Sequence, residues 1–282
     1  AARPNRCRPA SGAPESAMTR VMGILNTTPD SFSDGGLWTD RDQALRHAFG
    51  MVAAGADIID VGGESTRPGA GPVCIQQELD RVVPLVEAIA AETHATVSVD
   101  TSKPEVMQAA VAAGAGMIND VRALRGKGAL QTAARLGVPV CLMHMQGRPR
   151  DMQHEPCYVD VVAEVEAFLL ERARACRAAG IPDELILIDP GFGFGKTLEH
   201  NLALFRALPR LCRSAYPVLV GISRKSMLGA LTGKPVEERL AASVAAAVLA
   251  AGQGVAVLRV HDVAATVDAL KVARALGALP AC

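Results

Sequence analysis

Short apolar runs alternate with longer stretches of helical spacing along the chain, and the alternation persists from Arg20 almost to the end. The runs cover residues 21–25, 57–61, 96–99, 117–121, 139–144, 185–188, 218–222 and 255–260. They are rich in Val, Ile and Leu and most lead into a polar or glycine-rich turn, as expected of parallel strands covered on both faces. Between and after them, residues 41–54, 75–91, 104–113, 129–136, 158–179, 198–208, 237–251 and 263–276 place apolar side chains at helical spacing. Strands alternating with helices predict a parallel sheet with right-handed crossovers, and eight such units favour closure into an α/β fold, a (β/α)8 TIM barrel in one domain. An open doubly wound sheet would place a G-x-G-x-x-G turn after its first strand, where Asn26-Thr27-Thr28-Pro29-Asp30 stands instead. Residues 1–19 mix Arg, Pro, Ser and Gly without an apolar period or a signal-peptide core, which predicts a flexible tail ahead of a barrel domain over residues 20–282.

Composition agrees with that picture. A chain of 282 residues gives one such barrel, typically ~250 residues, with little to spare. The 29 Lys+Arg balance 29 Asp+Glu, and 50% of the residues are hydrophobic, which excludes a disordered polyelectrolyte and a general attraction to nucleic acid. The longest apolar stretch, residues 240–260, is mostly Ala and Gly and is broken by Ser243, Gln253 and Arg259, so it is no membrane span. Seven scattered cysteines, odd in number and without C-x-x-C spacing, predict reduced thiols and a cytoplasmic protein.

In such a barrel the chemistry gathers at the carboxyl ends of the strands. Those ends carry Asn26, Asp60 with the turn from Gly62 to Gly69, Asp100, Asn119 and Asp120, His144, Asp189, Ser223-Arg224-Lys225, and Arg259 with His261. Asp100, Asn119, Asp189 and Lys225 offer two carboxylates, an amide and an ammonium to one mouth. This set matches the amino-pyrimidinone edge of a flat heterocycle, a pterin or a purine. Met143, Phe192 and Phe194 are candidates to cover its faces. A basic group of Arg67, Arg259 and His261, with Asn26, Ser65 and Thr66 as neutral partners, suits a diphosphate and a Mg²⁺ ion. Asp189-Pro190-Gly191-Phe192-Gly193-Phe194-Gly195-Lys196 is one residue short of a P-loop, and its glycines are expected to let backbone approach a flat ligand.

Taken together, these turns resemble the dihydropteroate synthase family of folate biosynthesis. The resemblance runs from Arg20 to Leu276 through residues 26–36, Gly62 to Ala70, Ser98-Val99-Asp100-Thr101, Ile118-Asn119-Asp120, Met143-His144-Met145-Gln146-Gly147, Asp189 to Gly195, residues 221–226 and Arg259-Val260-His261-Asp262. No functional position departs from the family pattern, whereas Arg148, Cys157 and the N-terminal segment are idiosyncratic. The resemblance implies a Mg²⁺-assisted transferase that condenses 6-hydroxymethyl-7,8-dihydropterin diphosphate with 4-aminobenzoate, releasing diphosphate and 7,8-dihydropteroate. It also implies a homodimer and competition by sulfonamides.

By the same resemblance, Asp100, Asn119, Met143, Asp189, Phe194, Lys225 and Arg259 form the pterin site, and Asn26 is the metal ligand. Asn26, Thr66, Arg67, Arg259 and His261 meet the diphosphate. Phe32, Thr66, Arg67, Pro68, Phe194, Ser223 and Lys225 line the 4-aminobenzoate pocket, and Asp100, Lys225, Arg67 and Asp189 carry the catalysis. Asp100 is expected to be ionised at neutral pH when paired with donors. Three rivals are a methyltetrahydrofolate-corrinoid methyltransferase on the same barrel, a non-catalytic pterin-binding barrel, and a Schiff-base aldolase built on Lys225. Against the last, Lys225 flanked by Arg224 need not have the desolvated environment that lowers a lysine pKa.

Overall fold

A computed structural model describes residues 18–27, 37–65, 71–147, 152 and 155–279, without the side chains of residues 37–40. Eight strands, β1 (Arg20–Asn26), β2 (Ile58–Gly62), β3 (Thr96–Asp100), β4 (Met117–Asp120), β5 (Val140–Met143), β6 (Ile186–Asp189), β7 (Leu219–Val220) and β8 (Val257–Val260), lie in the order β6-β5-β4-β3-β2-β1-β8-β7. Every ladder is parallel. The barrel closes between β6 and β7 through a single bridge, Ile188 to Val218, where Ile188 N–H donates to the Pro217 carbonyl at 3.0 Å. The expected apolar runs fall on these strands to within two residues at each end.

Side chains alternate along each strand with period two, and the alternation separates two cores. Val21, Leu25, Ile59, Val61, Val97, Val99, Ile118, Val140, Leu142, Ile186, Ile188 and Val220 face outward and join the buried faces of the helices. Met22, Ile58, Met117, Cys141, Leu187, Leu219 and Val257 face inward and pack into a separate apolar layer that plugs the barrel. One or two positions further along the same inward rows stand Asn26, Asp60, Asp100, Asn119, Asp189 and Arg259. Hydrophobic plugging below and polar residues above give the barrel one open, reactive end.

The helices are α1 (Leu37–Ala53), α2 (Ile75–Glu92), α3 (Pro104–Ala112), α4 (Ala129–Leu136), α5 (Val161–Ala178), α6 (Leu198–Arg206), α7 (Leu208–Leu211), α8 (Ser226–Thr232), α9 (Leu240–Gly252) and α10 (Val263–Ala275). Helix α5 begins at Val161 and not at Tyr158 because the Asp160 carboxylate accepts from the N–H groups of Val162 and Ala163 and caps it there. Thr197 and His200 cap α6 reciprocally. The expectation omitted α8, a seven-residue helix that starts at the site and is stopped by Gly233 at φ 71°. Thr19 does not behave as tail, since its hydroxyl donates to the Val255 carbonyl at 2.8 Å and its carbonyl accepts from Arg274. Residues 1–17 lie outside the described residues.

Candidate functional site

Strand register sets the floor of the site. Gly62 pairs with Asp100, Asp100 with Asn119, and Met143 with Asp189, so these rungs bring acids, amide and thioether into one ring. Beneath them the Arg259 guanidinium reaches across the barrel. Its Nε donates to Asp60 Oδ2 at 2.6 Å and its Nη2 to Asp100 Oδ2 at 2.8 Å, while Asn119 Nδ2 donates to the same Asp60 oxygen at 3.0 Å. Asp60 is fully buried and Asp100 is 8% exposed, so removing the cation would leave two carboxylates in a low-dielectric pocket. Burial drives the Asp100 carboxyl up to about 7, against the pull of Arg259 and with help from Asp60. The expected fixed anion is therefore a group poised at neutrality.

Asp60 was visible at its strand end without receiving a role. It is the central acceptor of this network, and the signal was its parity: it lies inward, two residues after Ile58 and two before Gly62. Its Oδ1 and the neighbouring Ser98 hydroxyl are buried without a protein partner, although buried polar atoms are normally satisfied.

The β6 loop forms the opposite wall. Asp189 is buried, its Oδ1 accepting from Gly191 N–H at 2.7 Å, and burial raises its carboxyl above the ordinary value while that bond and Lys225 oppose the shift. Lys225, at the N-terminus of α8, donates from Nζ to the Phe192 carbonyl at 2.5 Å and lies 4.0 Å from the Phe194 ring centroid. Burial pulls its amine down to about 7, opposed by Asp189 and reinforced by Arg259. The desolvated environment that Lys225 did not need to have beside Arg224 is therefore present. Arg224 adopts φ 59° and turns outward to pair with Asp262, leaving Lys225 inside.

Two further expectations are corrected. Phe192 covers no ligand face, because it is fully buried in the outer core beside Phe205. Met143 and Phe194 do meet in one cluster, together with Met145 and Met152. The loop glycines do not open space for a flat ligand. Gly191, Gly193 and Gly195 have φ of 67°, 76° and 61°. A side chain on the first would collide with the His144 carbonyl, one on the second would stand 2.9 Å from Lys225 Cδ, and one on the third would strike the Gln146 carbonyl. The β6 loop is packed against its own neighbours.

At the end of β8, His261 Nδ1 lies 3.0 Å from the Ser223 hydroxyl, which also accepts from His261 N–H at 3.2 Å. This brings a candidate for the diphosphate and one for the aromatic pocket together on the same rim as Lys225. Asn26 ends β1 opposite Gly62, where a side-chain carbon would stand 3.4 Å from Asp100 Cβ and 3.7 Å from Asn26 Oδ1, in ordinary contact with both. Phe32, Thr66, Arg67 and Pro68 lie outside the described residues. The stem of the loop that carries the last three is anchored, however. Lys103 Nζ donates to Glu64 Oε2 at 2.5 Å and pairs with the fully buried Glu78, and Val73 N–H donates to Glu64 Oε1 at 3.3 Å.

A TIM barrel whose polar mouth pairs an amide and carboxylates with cations, over an apolar plug, is a pterin-binding type of site, and the family model described as "Pterin binding enzyme" matches residues 22–261. Within that class, the chain belongs to the dihydropteroate synthases. It is 54% identical over 255 residues to dihydropteroate synthase of Escherichia coli (strain K12), covering 90% of each chain. Among solved structures, Xanthomonas albilineans dihydropteroate synthase with 4-aminobenzoic acid superposes with a TM-score of 0.89 at 57% identity, covering 94% of this chain and 95% of that one. The same enzyme in complex with 7,8-dihydropteroate gives 0.85 at 54% identity, covering 94% and 96%.

Proposed function

We propose that this chain condenses 6-hydroxymethyl-7,8-dihydropterin diphosphate with 4-aminobenzoate to give 7,8-dihydropteroate and diphosphate. The observation that carries the reading is the joining, on one rim, of the Asp60–Asp100–Asn119–Arg259 network and Asp189–Lys225 with the basic His261 edge. Carboxylates and an amide suit the amino-pyrimidinone edge, and Lys225 can donate to its carbonyl or ring nitrogen. As the bond from the pterin methylene to oxygen breaks, its electron pair leaves with diphosphate. Positive charge at the methylene spreads into the ring over Asp100. The aniline nitrogen then supplies the new bond and releases its proton, a step that asks for no strong base.

The donor set fits Mg²⁺ in one specific way. No group of three His, Cys, Asp or Glu among the described residues could cage a metal. The amide oxygen of Asn26, at the mouth end of β1, suits an ion that keeps water and takes its other ligands from phosphate. When bound there, Mg²⁺ would neutralise the leaving diphosphate.

Three supporting assignments are finer. Asp100, Asn119, Met143, Asp189, Phe194, Lys225 and Arg259 hold the pterin; His261, with Thr66 and Arg67, takes the diphosphate; Ser223 and Phe194, with Phe32 and Pro68, receive 4-aminobenzoate. A reducing, cytoplasmic setting is supported by five free cysteines among the described residues. No helix there is long and apolar enough to cross a membrane. A homodimer is supported by exposed Leu231 on α8, Leu240 and Leu249 on α9 and Val272 on α10. Sedimentation should give a dimer, and Leu249→Glu should shift it toward monomer; an unchanged sedimentation coefficient would place the interface elsewhere.

The deciding test is a coupled assay of diphosphate release from the pterin diphosphate, with and without 4-aminobenzoate and Mg²⁺. Release should require both. Release indifferent to 4-aminobenzoate would sink the synthase reading in favour of a pterin diphosphate hydrolase.

A further inference from the structure

Lys196 ends the glycine-rich run and is assigned nothing by the chemistry above, yet it is only 3% exposed. A buried lysine is rare unless its donors are satisfied, and here they are. Its Nζ lies 2.9 Å from the Gly191 carbonyl, 3.0 Å from the Phe194 carbonyl and 3.0 Å from His144 Nδ1. In the ammonium form its three N–H bonds thus have three acceptors. Burial, reinforced by Lys196 and Arg125, lowers His144 to about 3 and keeps its imidazole neutral, and in the tautomer protonated on Nε2 its Nδ1 accepts from Lys196. Burial likewise draws Lys196 down to about 7, with Asp189 opposing.

The two carbonyls it holds are the two ends of one tight turn. Between them lie Phe192, whose carbonyl receives Lys225 Nζ, and Gly193, whose N–H donates to Asn201 Oδ1 at 2.8 Å. Asn201 in turn donates to the Lys196 carbonyl at 3.3 Å, and Tyr158 Oη donates to the Gly195 carbonyl at 2.8 Å. At the end of the turn, Phe194 presents its ring to Lys225. The clamp therefore acts from beneath on the one aromatic side chain of the loop that faces the site.

We propose that Lys196 is a positioning residue for the second substrate. By tying the Gly191 and Phe194 carbonyls to one amine, it fixes the Phe194 ring and the Phe192 carbonyl around Lys225, and so shapes the wall against which the aromatic amine docks. Asp189 belongs to strand β6, where it pairs with Met143, and among the described residues its one bond to the turn is to Gly191 N–H. Among the same residues, the Asp60–Asp100–Asn119–Arg259 side of the pterin site makes no bond to this turn, so the larger effect falls on the amine and the smaller on the pterin. The inference rests on the proposed synthase reaction.

The test is Lys196→Met, which keeps the buried stem and removes the donors. Diphosphate release gives KM for 4-aminobenzoate, and calorimetry gives Kd for the pterin diphosphate. The expected result is a rise in the 4-aminobenzoate KM of about tenfold with the pterin Kd changed by less than about threefold, the scale of one or two lost hydrogen bonds. Lys196→Gln, which retains a donating amide, should recover part of the KM. An unchanged KM, or equal losses for both substrates, overturns the proposal, as does failure of both variants to fold, which would make Lys196 a structural residue alone. Wild-type chain assayed in parallel separates the two questions. Its failure to require 4-aminobenzoate would remove the synthase reading, whereas a normal wild type beside a variant of normal KM would remove only the clamp.

Discussion

Arg259→Met is expected to cost about 3–5 kcal/mol of folding stability, the scale for breaking a buried ion pair from one side, and to abolish measurable turnover. Met fills most of the volume of the arginine stem, so packing alone cannot account for such a loss. The cost comes from Asp60 and Asp100, which would face each other in a pocket where they are 0% and 8% exposed, with Asn119 as the remaining donor. Such a pair relieves itself by taking up a proton. A buried carboxyl whose folded value lies above its unfolded value stabilises the fold at low pH and loses that contribution as pH rises. The variant's deficit, measured by urea unfolding, should accordingly shrink at pH 5 and widen at pH 8. A deficit below about 1 kcal/mol at both values would mean that the guanidinium is offset by its own desolvation, as many buried pairs are.

The barrel was legible because its signal is carried by many short, independent elements. Each outward-facing Val, Ile or Leu meets a helix, and each inward one meets the plug, so both faces of a strand are apolar until the last inward rungs. The change from Ile58 to Asp60, or from Met117 to Asn119, marks where the plug ends and the site begins. What resisted reading was local. Helix α8 has too few residues to show a period, and its boundaries depend on Gly233 and on Lys225 standing at the N-cap.

The site was legible as a set of residue types and much less so as a set of environments. Asp100, Asn119, Asp189, Lys225 and Arg259 converge as their strand ends predict. Their ionisation does not follow from adjacency in sequence. Arg224 is next to Lys225 along the chain, but it turns out to Asp262, so what governs Lys225 is burial together with Asp189 and Arg259, all remote in sequence. The glycine run misled for the same reason. Its glycines pack against the β5 loop at Gly191 and Gly195 and against Lys225 at Gly193, tertiary contacts that the spacing of glycines does not reveal.

For Asp100→Asn, kcat/KM for the pterin diphosphate is expected to fall by about 10²–10³, and the acid limb of its pH profile should disappear. In the wild type, Asp100 is raised to about 7 by burial and Lys225 is lowered to about 7, so the productive form, carboxylate with ammonium, is confined to a narrow window around neutrality. Activity should rise with pH as Asp100 ionises and fall as Lys225 loses its proton. The two apparent values belong to the coupled pair and not to either residue. The amide keeps the shape and one accepting oxygen but cannot carry the charge that faces the developing cation. Its profile should therefore retain only the alkaline limb, with that limb moved down in pH because a carboxylate that favoured the ammonium is gone. Lys225→Met should do the converse, removing the alkaline limb and leaving the acid one. An acid limb that survives unaltered in Asp100→Asn would assign that titration to the substrate's own diphosphate and leave Asp100 as a hydrogen-bonding residue only.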